Sequence, residues 1–338
     1  MTQAAALAAY GSNSPSNRNR IINGDMRIDQ RNAGASVSCD SNAYSLDRWQ
    51  HVVSQASKLT VQQNAGSVTP PVGFSKYIGF TSTSAYSVGT TEYFYFQQTI
   101  EGNNIADLAW GTASAAPITL SFRVYSSLTG TFGGSLQNNA KNRSYPFTYT
   151  VSSANTWTTI SITIAGDTTG TWLTTNSAGI TVIFGLGVGL TSLVGTAGAW
   201  ASADYRSATG ATSVVGTSGA TFYITGVQLE EGSVATPFEH RQYGQELALC
   251  QRYFEVAYVT SSNYAFLSSS YLGTTNNWYS YYYKVPKRAV ATFNLTNGTW
   301  NGSPTIYAHI DQTMFYGGSN FLLQGTAGQS ACSFSAEL

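Results

Sequence analysis

The sequence predicts an all-β protein: a jelly-roll β-sandwich, followed by a short connector helix and a smaller C-terminal antiparallel β-domain. Three observations carry that expectation. Apolar and polar residues alternate at period two through most of the 338-residue chain, between Gly-, Ser- and Asn-rich turns. The alternation gives way to a helical spacing at one place only, from Tyr243 onward. No helical crossovers separate the strand patterns, which argues against a parallel α/β sheet.

Each element follows from its local pattern. Residues 1–20 read as an N-terminal attachment tail, in which "AAALAA" favours a short helix that Gly11 and Pro15 then stop. Residues 21–240 read as the sandwich. There "ITLSFRVYSS" puts Ile118, Leu120, Phe122 and Val124 on one face and Thr119, Ser121, Arg123 and Tyr125 on the other. "WTTISITIAG" points Ile160, Ile162 and Ile164 inward. "TVIFGLGVGL" alternates Val182, Phe184, Leu186 and Val188 with Gly185, Gly187 and Gly189. Those glycines leave the opposite face bare and invite close packing by another strand or a ring. "TEYFYFQQTI" and "ATFYITGVQLE" complete a set of short strands that suits a sandwich or jelly roll.

Residues 241–257 form the expected connector helix. Tyr243, Leu247, Cys250 and Phe254 recur at i, i+4, i+7 and i+11, one apolar stripe close to a coiled-coil seam, with Glu246 and Arg252 off it. The stripe packs either on its own domain's sheet or at the symmetry axis of an oligomer. Residues 258–338 return to strand patterns, with Pro286 at an edge or bend and an Asn-Gly pair on each side of Trp300. Roughly five to seven strands are expected there.

Composition excludes several classes. Charged residues make up 9% of the chain, against roughly 25% in ordinary soluble domains. Lys+Arg and Asp+Glu number 16 each, so no overall field draws the protein to nucleic acid or an anionic membrane. No segment approaches the roughly 20 apolar residues of a membrane span, and "MTQAAALAAYG" lacks the basic start of a signal peptide. Polarity comes from Ser, Thr, Asn, Gln and Gly alongside 22 Tyr and 7 Trp. Such faces suit neutral partners, sugars among them, although Tyr and Thr are also simply good strand formers. Cys39, Cys250 and Cys332 fit neither a disulfide framework nor a zinc site and read as buried free thiols. The sequons at Asn142, Asn294, Asn297 and Asn301 matter only in a eukaryotic secretory route, which nothing in the chain supports.

Catalytic signatures are missing. His51, His240 and His309 have no metalloprotease spacing, and no nucleophile-elbow motif occurs. "GLGVGL" is alternating strand, not a phosphate loop leading into a helix. A glycosidase needs two carboxylates across a cleft, and sequence alone does not pair Asp25, Asp29, Asp47, Glu92, Glu101, Asp107, Asp167 or Asp204. No enzyme is expected. "LDRW" reads as structure, with Trp49 buried while Asp47 and Arg48 pin a loop.

Three stretches carry a family resemblance. "NRIINGDMRIDQRNAGAS" (19–36), with "YSLDRWQ" (44–50), resembles the opening of a module in tail-fibre proteins of tailed bacteriophages. "TGVQLEEGSVATPFEHRQYGQELALCQRYFE" (225–255) looks like that module's end and its continuation. "CSFSAEL" (332–338) is similar to the ending of such fibres. The first two also resemble the edges of carbohydrate-binding jelly rolls, where an Asn-Gly-Asp element precedes a buried Trp. The resemblance implies a virion tail component, a homotrimer that mediates host-surface attachment by binding cell-surface glycan and meets other tail or baseplate proteins through its N-terminal tail. It brings no nucleic-acid partner, no membrane insertion and no cofactor, apart from a structural Ca2+ that Asp25 could help hold. The charges of 225–255 then belong to an ordered junction between domains.

If sugar is bound, exposed rings stack on its apolar faces. Trp278, Tyr279, Tyr281, Tyr282 and Tyr283 lead the candidates, with Trp300 and Tyr316 behind them, and alternation turns about half of the tyrosines inward. Tyr243, Leu247, Cys250 and Phe254 are the candidate oligomer interface. The alternative is a structural virion piece that binds no receptor, a capsid decoration or baseplate protein in which the sandwich is only a spacer. A sugar-cleaving tail enzyme is the third reading.

Overall fold

The computed structural model describes residues 18–258, 268–271, 277–296, 298–300, 305–308, 314–319, 323–325 and 331–338, with side chains over 18–257, 281–294 and 333–338. The chain forms two compact units. One holds the residues up to Arg27, Gly34–Ala43 and Trp49–His240; the other holds Ile28–Ala33, Tyr44–Arg48 and Arg241–Leu338.

Period-two patterns become strands throughout. The first part of the chain contributes β1 (Val37–Ser38), β2 (Ala43–Leu46), β3 (Trp49–Val53), β4 (Leu59–Gln63), β5 (Ile78–Ser82), β6 (Tyr93–Glu101) and β7 (Ile118–Ser126). It continues with β8 (Gly130–Asn138), β9 (Ser144–Val151), β10 (Thr158–Ile164), β11 (Ala178–Val188), β12 (Val194–Gly195), β13 (Ser207–Ala208) and β14 (Thr221–Glu231). One antiparallel sheet of the first unit orders β1-β4-β5-β14-β7-β10. The facing sheet runs β3-β6-β11-β8-β9, also antiparallel. The chain therefore crosses between sheets instead of pairing each strand with the next, as the jelly-roll expectation requires.

The core is a stack of phenylalanines contributed by both sheets. Phe80 lies 4.8 Å from Phe96, Phe96 5.0 Å from Phe184, and Phe184 5.2 Å from Phe122, centroid to centroid. Trp49 closes one side against Phe96 and donates its indole N–H to the Asn23 carbonyl at 2.9 Å. All of these rings are sealed from solvent. Each contributes roughly 1.5–3 kcal/mol by burial, upper bounds because unfolded chains are partly compact.

Glycine positions one covering segment. A Cβ on Gly133 would come 2.5 Å from Ser207 Oγ, and one on Gly185 2.9 Å from the same atom. The bare strip on β8 and β11 is thus where β13 lies down, which is the close packing anticipated from "GLGVGL". In β14 the register shifts between Thr225 and Gln228, at Gly226 with φ +62°.

The tail is shorter than the expected 1–20. Arg18 pairs with Glu230 at 3.2 Å, Asn19 accepts the Leu229 N–H and donates to Val227, and Arg20 reaches Asp107. These bonds fix 18–20 against the sandwich; residues 1–17, the rest of the expected attachment tail, lie outside the described residues. The charged junction is ordered likewise. Glu230 is 1% exposed and accepts the Thr236 N–H and hydroxyl at 2.8 and 2.6 Å, while Glu239 accepts the Asn19 N–H at 2.7 Å.

The second unit opens with α1 (Tyr243–Gln251) and β15 (Phe254–Tyr258), then β16 (Ser268–Tyr271), β17 (Asn277–Tyr282), β18 (Thr292–Thr296) and β19 (Gly298–Trp300). β20 (Thr305–Ala308), β21 (Met314–Ser319), β22 (Leu323–Gly325) and β23 (Ala331–Ser335) complete it. They pair as β15-β23-β18, β16-β17-β21-β20 and β19-β22, which is more strands among the described residues than sequence suggested. The helix is shorter than the expected 241–257. Phe254 belongs to β15, opposite Ser335, because "FEVAY" alternates and finds a partner strand. Glu246 is buried at 3% exposure instead of lying off the stripe, and Tyr243 is exposed at 57%. The cause is Arg241, itself buried, which sits 3.4 Å from Glu246 and lets the helix turn that carboxylate inward.

Candidate functional site

The outward face of the β3-β6-β11-β8-β9 sheet is the part of the first unit that combines ordered polar groups with rings. Register sets it out. Gln50 of β3 lies opposite Gln97 of β6, Val52 opposite Tyr95, Thr181 of β11 opposite Thr99, and Gln137 of β8 opposite Thr181. Residues opposite one another share a face, so the polar field of Gln50, Gln97, Thr99, Thr181 and Gln137 shares a face with a small apolar cluster of Val52, Tyr95 and Ile183, against which Tyr93 packs. One end of the sheet is covered by β13; Gln50, Gln97, Thr99, Thr181 and Tyr93 stay partly exposed.

Hydrogen bonds hold the field rigid. Gln97 Nε2 donates to Gln50 Oε1 at 2.8 Å, and the Thr99 and Thr181 hydroxyls are 3.1 Å apart. Gln137 Nε2 donates to Asp204 Oδ1 at 2.6 Å and to the Tyr205 carbonyl at 2.9 Å. Asp204 Oδ2 accepts from Arg206 Nη2 at 2.9 Å. The Arg206 guanidinium then lies over the Tyr93 ring at 4.2 Å. Burial opposes the charge of Arg206, but the Asp204 hydrogen bond and neighbouring Tyr95 outweigh it and raise its pKa. Burial also pushes the Tyr95 phenol up to about 12, so both groups keep one protonation state across the physiological range.

The field leaves one complementary pair of groups on offer. After the Gln97–Gln50 bond, Gln97 Oε1 and Gln50 Nε2 have no protein partner among the described residues. An acceptor and a donor on two bonded, partly exposed amides match a sugar hydroxyl, which both donates and accepts. Among the described residues no group of three His, Cys, Asp or Glu could hold a metal.

Of the residues singled out from sequence, Trp278, Tyr279, Tyr281 and Tyr282 lie on β17, which pairs with β21, where Tyr316 stands opposite Ser280. Tyr281 turns inward, donating to Glu255 at 2.6 Å and stacking on Phe334 at 5.0 Å and 6°. Tyr283 also packs on Phe334, with Lys287 4.7 Å above its ring; burial pushes its pKa up to about 12. Tyr282 is exposed at 71%. Trp278 and Tyr279 pair with Gly318 and Gly317, Tyr316 with Ser280, and Trp300 with Leu323; the side chains of Trp278, Tyr279, Trp300 and Tyr316 lie outside the described residues. Asp25 is buried and ion-paired with Arg27, which supplies the counter-charge a Ca2+ would bring; its Oδ1 has no hydrogen-bond partner. Cys250 is fully buried and Leu247 half-buried on α1. Cys39 and Cys250 are buried free thiols, the former pushed up to about 12 by burial; the Cys332 side chain lies outside the described residues.

Tyr93, Gln97, Gln50 and Arg206 were not singled out by sequence reasoning. A signal was there: in "TEYFYFQQTI" the set Tyr93, Tyr95, Gln97, Thr99 is the polar-aromatic face of a strand whose other face is Phe94, Phe96, Gln98 and Ile100.

No protein-family model matches the chain, and no curated protein matches it. Solved structures that share part of its course include the bacteriophage CBA120 tailspike protein 4 enzymatically active domain, with 12% identity and a TM-score of 0.36 over 65% of this chain and 22% of that one. The chain thus spans about a fifth of the tailspike chain. TmCBM61 in complex with beta-1,4-galactotriose aligns with 9% identity and a TM-score of 0.32 over 64% of this chain and 99% of its own. A family 11 carbohydrate-binding module from Clostridium thermocellum, in complex with a mixed-linked tetrasaccharide, gives 12% identity and 0.29 over 60% and 98%. TM-scores this low leave the functional reading to the chain's own geometry.

Proposed function

We propose that this chain is a glycan-binding virion protein of the tail-fibre type, which attaches a phage to its host surface through the face built on Gln50, Gln97 and Tyr93. The observation that supports glycan binding is the Gln50–Gln97 amide pair, partly exposed on the strand face that also carries buried Tyr95 and, further along, partly exposed Tyr93. The tail-fibre reading is supported by the sequence stretches at 19–36, 44–50, 225–255 and 332–338. In this reading the protein is a homotrimer without a catalytic step, and several weak contacts add through avidity. Exposed Tyr282 offers a second contact on the other unit.

The test is an adsorption-blocking assay with purified full-length protein and host cells, beside a Gln50→Ala/Gln97→Ala variant and a Tyr282→Ala variant. Losing two hydrogen-bonding groups at about 1 kcal/mol each weakens cell binding roughly 10- to 100-fold. If the double variant blocks infection as well as the parent while remaining folded, the face is not the receptor reader. Loss confined to Tyr282→Ala would move the site to the second unit, and a parent that binds no cells would favour the spacer reading.

A further inference from the structure

Eight arginines of the chain each meet a carboxylate. Arg123, in the middle of β7, meets none among the described residues. It stands on the outward face of the other sheet of the sandwich, with Tyr125 and Ser121 as same-face neighbours along the strand. Thr159 of β10 lies opposite it on one side and Thr225 of β14 on the other. We propose that this face is a second binding site, one that takes the carboxylate of an acidic saccharide at Arg123.

The surroundings fit that ligand in composition and spacing. Tyr125 and Tyr223 lie parallel within 8° at 5.4 Å, and Trp157 leans on Tyr125 at 5.5 Å. The Trp157 indole N–H donates to the Thr69 carbonyl at 2.9 Å, which holds the ring in place. Tyr125 and Trp157 are partly exposed, and the Thr159 and Ser161 side chains are exposed beside them. Neighbouring positions on such a face are about 5 Å apart across strands and about 7 Å along them. That is the scale of one sugar ring with its carboxylate, so a ring set against Trp157 and Tyr125 places its acid group at Arg123 and its hydroxyls at Thr159 and Ser161. The planar guanidinium fork matches a carboxylate through two parallel hydrogen bonds.

Charge gives the reason for a ligand. Burial withdraws water from Arg123 and lowers its pKa, with no acid among the described residues to offset the loss. The nearest carboxylate on the same face of β14 is Glu230, and it is engaged by Arg18 and Thr236. An acidic ligand restores the missing counter-charge; a neutral one does not.

The test titrates full-length protein with tri-galacturonic acid and sialyllactose, with their neutral counterparts galactotriose and lactose, and with inorganic phosphate. At least one acidic probe is expected to bind ten-fold or more tightly than its neutral counterpart. Arg123→Met, which keeps the aliphatic stem, abolishes that preference, and Arg123→Lys keeps part of it. Gln50→Ala/Gln97→Ala retains the preference in full, which separates this site from the proposed neutral-glycan face. The melting temperature of Arg123→Met stays level or rises, since the charge it removes has no partner. No acidic preference in the parent, an unchanged preference in Arg123→Met, or a lower melting temperature that Arg123→Lys restores would each overturn the proposal. So would displacement by inorganic phosphate at the concentration of the acidic sugar, because the saccharide would then contribute nothing.

Discussion

Replacing Lys287 by Met should destabilise the second unit by about 3–5 kcal/mol, the usual effect of removing one partner from a buried ion pair. Lys287 and Glu255 are both fully buried, with Nζ 2.5 Å from the carboxylate. Lys287 also donates to the Gln251 carbonyl at 2.6 Å, and Glu255 accepts the Tyr281 hydroxyl at 2.6 Å. Methionine keeps the length of the stem but removes the cation, which leaves the buried Glu255 carboxyl without its counter-charge. Urea unfolding followed by near-ultraviolet circular dichroism reads the loss as a lower midpoint at constant slope. The double variant Glu255→Leu/Lys287→Met should recover more than half of it, because a buried pair can be exchanged for apolar groups at small net change. Tyr281→Phe, which removes only one hydroxyl from Glu255, should lose about 1–2 kcal/mol and leave glycan binding intact. A Lys287→Met protein within about 1 kcal/mol of the parent would refute the reasoning, since surface-like tolerance is not compatible with a desolvated pair.

Two further perturbations probe the sandwich and the loop pinned by Asp47. Gly133→Ala should lower stability by about 1–3 kcal/mol, because its Cβ would lie 2.5 Å from Ser207 Oγ and 2.9 Å from Ala211 Cβ; an unchanged melting temperature would mean that β13 is not seated on the sheet. Burial raises the Asp47 pKa to about 6, from the 3.8 of an ordinary aspartate. The folded state therefore holds a proton that the unfolded state has lost, and the associated stability, about 3 kcal/mol, is full below pH 4 and gone above pH 6. The urea midpoint of the parent should fall across that window relative to Asp47→Asn, and parallel curves would refute the shift.

The inward faces were legible in the sequence because period two marks which side chains turn into the core, although Thr119 and Ser121 on the outward side of β7 are buried as well. Ile118, Leu120, Phe122 and Val124 are all sealed, while Arg123 and Tyr125 face out as the alternation requires. Strand partners were not legible: β14 lies between β5 and β7, strands separated from it by about a hundred residues or more, and no local signal specifies such pairings. The helix was overextended because an apolar residue at i+11 looks the same whether it ends a helix or starts a strand, as Phe254 does. The Gln50–Gln97 pair was not legible for a related reason. A count of aromatics favours the Tyr-rich segment at 278–283, but a ring such as Tyr281 that is bonded to Glu255 is structure, and amides such as Gln50 and Gln97 acquire meaning only once register sets them side by side.

The stretches that resemble tail fibres have a shared physical purpose inside the second unit. Glu337, from the terminal stretch, receives Arg31 from the first stretch and Arg48 from "LDRW". Those two guanidiniums lie 3.7 Å over Phe254 and 3.5 Å over Tyr253, both from the end of the long central stretch. Asp47 accepts the Gln30 backbone and side-chain N–H groups at 2.7 Å each, and the Tyr44 hydroxyl donates to the Leu338 carbonyl at 2.9 Å. Two cations sharing one carboxylate repel each other unless ring faces and a nearby acid carry the surplus charge. The cluster therefore needs all of its members at once, and each of the separate stretches supplies some of them. Residues committed to this cluster are not available to read a receptor. In the proposed reading, recognition falls to positions outside the resembling stretches, such as Gln97, Tyr93 and Arg206, and Gln50 at the edge of one of them, where a side chain can change without unmaking the fold.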